Sequence, residues 1–172
     1  MKDAFVLLSE YNAVTNRELL EILRGVPQED LTRDLGSYFA SILGIVNHVL
    51  VSDVSWLGRF SAAIPELSEL SKELPAFELR KLTDVVWPDL KSFSPVRERV
   101  DGVIVRAFQA LPEERYTEVL RYRNWRGQEQ EKLAWRAFLH FFNHQTHHRG
   151  QVSVLLDRLS VKNDYSNLIW KF

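Results

Sequence analysis

Five histidines carry the chemistry this sequence offers: His48, His140, His144, His147 and His148, the last four within nine residues of one segment. A neutral imidazole serves as a base, a hydrogen-bond partner or a ligand to a borderline transition metal. On a helix of about 100° per residue, setting His140 at zero places His144 at about 40°, His147 at about −20° and His148 at about 80°. The apolar residues of the segment, among them Ala137, Phe138, Phe141, Val152, Leu155 and Leu156, centre at about 110° on the same wheel. His144 and His148 therefore face inward one turn apart, His140 sits at the border and His147 points away. This i,i+4 pair has two readings. Either the imidazoles are buried and hydrogen-bonded to neighbours, or they present two nitrogens to one ion whose further ligand comes from another element. His48 falls off the apolar stripe of its own helix, beside Ser41, Gly44, Ser52 and Ser55. Periodicity fits a surface position and a small-residue cleft equally well.

Asp53 falls near the middle of the apolar stripe that His48 misses. A buried carboxylate requires a partner, expected from Asn16 or an arginine, and a structural role is favoured over a catalytic one. Arg149 projects at about 140° from His144, which fits helix packing or a salt bridge, and Trp56 and Phe141 read as core. The chain has no cysteine, which excludes disulfides, thiolate ligands and a cysteine nucleophile.

Four helices must position these groups. Apolar residues recur at three- and four-residue spacing over 3–25, ending at Gly25-Val26-Pro27, and again over 37–60, with Ser37 as the expected N-cap. Prolines at 65, 75, 88 and 95 break the stretch 61–95 into a long connection with short helical turns at most. A third helix is expected at 95–110, opening on Ser94-Pro95, and the fourth at 131–159. Between them the alternation from Tyr116 to Tyr122 suggests a small β-hairpin turning near Arg123-Asn124. The expected fold is an all-α four-helix bundle over one domain, residues 1–172. A 24-residue helix is about 36 Å long, and some ~35 extended residues reach more than 100 Å. The long connection can thus cross the whole bundle and leave helices two and three parallel, while the shorter links favour antiparallel neighbours.

The remaining totals exclude partners. A formal net charge of −1 gives no electrostatic reason to expect nucleic acid. No run approaches the ~20 apolar residues of a membrane span, and the N-terminus lacks the apolar core of a signal peptide, so the expectation is a cytoplasmic protein without membrane contact.

The run Phe141-Phe142-Asn143-His144-Gln145-Thr146-His147-His148-Arg149-Gly150-Gln151 resembles the signature of the DinB-like (YfiT-like) family of small metal-binding four-helix bundles, which is distinct from the DNA polymerase sharing that name. The block Leu43-Gly44-Ile45-Val46-Asn47-His48, continuing to Asp53, Trp56 and Arg59, is similar to the family's second-helix motif, and Tyr11-Asn12-Ala13 with Asn16 to its first-helix motif. Val14 stands where many relatives carry tryptophan, and Asn167 near a usual aspartate.

The resemblance implies an up-down-down-up bundle and three histidine ligands, His48, His144 and His148, for a divalent transition metal such as Zn, Ni, Fe or Mn. Three imidazoles leave coordination positions open for water or substrate, as in catalytic sites. Each ligand should donate its other N–H to an acceptor, and Gln151, at about 20° on the wheel and beside His144, is the candidate. Relatives of this kind are thiol-dependent transferases or hydrolase-like enzymes, so the expected partners are a small-molecule substrate and a low-molecular-weight thiol. A non-catalytic metal-binding stress protein is the alternative, and a homodimer is implied.

Overall fold

The computed structural model describes residues 1–172. Helix α1 (Lys2–Arg24) ends at Gly25, whose N–H returns to the Ile22 carbonyl, and Pro27 leads into a short α2 (Gln28–Thr32). Helix α3 (Ile42–Ala63) begins later than periodicity predicts. Its cap is Ser41, whose hydroxyl accepts the Gly44 N–H at 3.0 Å; Ser37 instead lies in a tight loop, paired with Ala40 in a single bridge. Helix α4 (Leu90–Ala110) begins five residues before Pro95, because the Asp89 carboxylate accepts the Ser92 N–H at 2.8 Å and caps the first turn there. Pro95 forfeits one bond to the Lys91 carbonyl. Both residues are exposed, so the freed carbonyl is open to solvent.

The expected hairpin is present: β1 (Val119–Arg123) pairs antiparallel with β2 (Glu129–Leu133), Arg121 opposite Glu131. Its turn is longer than a two-residue one. The Asn124 side-chain oxygen Oδ1 accepts the N–H groups of Arg126 (2.9 Å) and Gln128 (3.0 Å), and Gly127 takes a positive φ of 75° that a side chain would disfavour. Residues 131–133 therefore belong to the strand, and α5 runs Ala134–Arg158.

The four long helices form the up-down-down-up bundle. α1 packs on α4 and α3 on α5, each pair antiparallel, while α3 and α4 run parallel across the connection 64–89. That connection carries two 3₁₀ turns, Pro65–Leu67 and Glu69–Glu73. It is fastened to α3 by the fully buried Asn47, whose amide donates to the Trp87 carbonyl (3.0 Å) and accepts the Trp87 N–H (2.8 Å). The link 25–41 does not make its two helices close neighbours as its length suggested, because α2 carries the chain across the bundle end. No helix is long and apolar enough to cross a membrane.

Near one end of the bundle the core is aromatic: Phe138 is fully buried among the rings of Phe5, Phe60, Phe108 and Tyr116 at 5.0–5.9 Å. The middle is polar. Arg97 (α4) donates to Asp53 (α3) at 2.6 Å and to Asp101 at 2.7 and 3.1 Å. Asn12 and Asn16 (α1) donate to Asp101, Gln145 (α5) donates to Asp53 at 2.9 Å, and Arg149 (α5) donates to Asn12. Two buried carboxylates thus face two buried guanidiniums, formally neutral together, and all four long helices are joined through them. Asp53 finds its arginine as expected, whereas Asn16 serves Asp101.

Candidate metal centre

His48 lies on α3, five residues before Asp53; His144 and His148 lie on α5, flanking Gln145. Antiparallel packing of these two helices, with Asp53 bonded to Gln145, brings the three imidazoles to one point. His144 Nε2 stands 3.2 Å from His48 Nε2 and 3.1 Å from His148 Nε2, and one nitrogen of each ring falls within 4.8 Å of the others. His48 is half-buried against α5, so it faces another helix rather than open solvent.

Gln151 accepts from His148 Nδ1 at 2.7 Å and donates to His147 Nε2 at 3.2 Å. The proton of His148 is thereby held on Nδ1, and the Nε2 lone pair is aimed at the convergence point. The expected acceptor is thus in place, although it serves His148 rather than His144. His48 Nδ1 is buried without a hydrogen-bond partner. Its ring is instead stacked under Phe39, centroids 4.1 Å apart and planes inclined by 21°.

Burial keeps these imidazoles neutral. Desolvation, reinforced by His148, pushes His48 down to about 4, with the Leu82 backbone opposing. Desolvation and the other four histidines push His144 down to about 3, and desolvation lowers His148 against the Gln151 hydrogen bond. Asp53 moves the other way: burial raises it to about 6, opposed by Arg97.

The two remaining histidines stay outside the convergence point. His140 is exposed and packs edge-on against Trp56 at 5.4 Å, and exposed His147 meets the edge of the His148 ring at 4.9 Å besides accepting from Gln151. Trp56 is half-buried and lies beneath the Arg59 guanidinium, whereas Phe141 is core. Arg149 is a packing residue, buried over the Tyr11 ring. Periodicity counts Phe39 among the apolar residues of a helix over 37–60; the helix instead begins at Ile42, and Phe39 lies in the loop before it with its ring on His48.

Do the three residues suit a metal? A neutral imidazole nitrogen holds one proton or one lone pair, so His144 Nε2 can complete only one of its two close contacts as a hydrogen bond. A shared cation satisfies three lone pairs at once. Tetrahedral bonds of about 2.0–2.1 Å set ligand nitrogens about 3.3 Å apart, near the 3.1 and 3.2 Å of the two pairs that share His144, the third pair lying within 4.8 Å. The donor set fits.

Fold and site together define a four-helix bundle with a three-histidine cluster between its second and fourth long helices. Residues 1–170 match the DinB family model, and the chain belongs to the DinB family. It is 25% identical over 161 residues to Protein DinB of Bacillus subtilis strain 168, covering 91% of this chain and 86% of that protein. The crystal structure of a DinB-like protein from Bacillus cereus ATCC 10987 superposes with a TM-score of 0.57 at 22% identity, covering 95% of this chain and 97% of the other. That likeness supports the bundle.

Proposed function

We propose that the protein holds one divalent transition metal on His48, His144 and His148 and acts as a metal-dependent enzyme on a small-molecule substrate, with a low-molecular-weight thiol or water as the nucleophile. The observation that carries this reading is the convergence of three Nε2 atoms around His144 at 3.1 and 3.2 Å. Three neutral imidazoles favour zinc, nickel, iron or manganese and leave positions open. An ion so held lowers the pKa of a bound water or thiol toward neutrality. The chain contributes orientation and dryness: Gln151 fixes the His148 tautomer, Phe39 covers His48, and the Asp53–Gln145 bond locks the two ligand-bearing helices together. Because the chain has no cysteine, thiol chemistry requires a free thiol as cosubstrate.

Two measurements on protein purified without a histidine tag test the reading. Metal analysis should find close to one equivalent of transition metal; less than about a tenth, with no rebinding, overturns it. Screening small thiols against electrophiles should show consumption above that of His144→Ala. Metal without thiol consumption overturns the thiol arm of the reading and favours non-catalytic metal binding unless hydrolysis, screened on the same electrophiles, exceeds that of His144→Ala.

A further inference from the structure

The loop 34–41 between α2 and α3 is built against resistance. Ala40 adopts φ 62°, one of two non-glycine residues with positive φ, and the Ser41 N–H closes onto the Phe39 carbonyl at 2.8 Å. A bond spanning two residues around a positive φ is a γ-turn of the strained kind, held only where its surroundings over-determine it. Here they do. Ala40 donates to Ser37 O (2.9 Å) and accepts from Leu35 N (2.8 Å), and Ser41 caps α3 through Gly44 N. The Phe39 carbonyl rests directly on Gly44: a Cβ there would stand 2.1 Å from that oxygen and 3.2 Å from its carbon. Glycine in a first helical turn costs stability relative to alanine, so its presence here answers to the turn that it admits.

The turn delivers the Phe39 ring onto His48 at 4.1 Å, nearly parallel, and edge-on to His148 at 5.6 Å. His148 is oriented by a hydrogen bond to Gln151, but His48 Nδ1 makes no hydrogen bond of ordinary geometry, only the Leu82 backbone acting on it as an acceptor. We infer that Phe39, seated by the strained turn over Gly44, is the positioning residue that fixes the His48 ring, with a stacked face replacing the usual acceptor. The consequence for metal affinity rests on the three-histidine site proposed above.

Cobalt(II) titration of the wild type, Phe39→Tyr, Phe39→Leu and Gly44→Ala tests it. Phe39→Leu and Gly44→Ala should bind cobalt about 10- to 100-fold more weakly, the range expected when a ligand loses its orienting neighbour. Their ligand-field spectra should change, and Phe39→Tyr, which keeps the ring, should restore both. Equal affinities and spectra across the set overturn the inference and leave the metal reading intact. A wild type that binds no cobalt overturns the metal reading instead. The inference is then decided on metal-free protein, where the ring-proton resonances of His48 should lose the upfield shift caused by the Phe39 ring in both Phe39→Leu and Gly44→Ala. Unchanged resonances overturn it.

Discussion

Gln145 donates to Asp53 at 2.9 Å across the interface of α3 and α5, both residues 0–1% exposed, one position from His144 and five from His48. One buried bond thus sets the register of the two helices that carry the histidines. Since Arg97 also holds Asp53, the whole polar layer stands behind that register.

Asp53→Ala should unfold the protein more readily by about 3–5 kcal/mol, because it strands the Arg97 charge in the interior with only Asp101 to compensate. Gln145→Leu should cost about 1–3 kcal/mol through the unmet carboxylate oxygen. Urea denaturation measures both, and a loss below about 1 kcal/mol for Asp53→Ala would contradict the role given to the network.

Gln151→Leu removes the acceptor that keeps the His148 proton on Nδ1. Zinc affinity, read by competition with a chromophoric chelator, should fall about 10- to 100-fold, while Gln151→Glu, which still accepts, should retain it. Equal affinity in Gln151→Leu would show that the tautomer does not depend on this bond.

Acid should weaken the metal-free protein through His144. Its pKa falls from the ordinary 6.5 to about 3 on folding, so between these values the unfolded chain binds a proton that the folded chain refuses. Stability from this group is whole above about pH 6.5 and is lost as pH falls toward 3. The raised Asp53 has the opposite sign, with stability lost as pH rises through about 6. It is present in both wild type and His144→Gln, so the difference between the two isolates the histidine. Wild type should lose stability relative to His144→Gln on acidification, as followed by urea unfolding at successive pH values. Parallel curves would refute the assignment.

Much of this was legible in the chain. The 3.6-residue period located the four long helices, and the proline-broken stretch 61–95 predicted the crossover that lets α3 and α4 run parallel. The i,i+4 spacing of His144 and His148 placed both on one inward face. Boundaries were less legible where a single side chain decides them: α3 and α4 open on Ser41 and Asp89 rather than on Ser37 and Ser94-Pro95. Any serine or aspartate near a helix start is a candidate until its oxygen is seen to meet an N–H.

The sequence by itself determined the elements, the absence of any thiol in the chain and an inward histidine pair, because these depend on residue type and on spacing within one helix. His48 joins that pair through contacts 96 and 100 positions away in the chain, and Phe39 covers it from a loop with no periodicity. Whether a polar group off an apolar stripe meets water or another helix depends on how many neighbours that helix has. On α3, enclosed by α5, α4 and the loop carrying Phe39, the packing of the chain decided it.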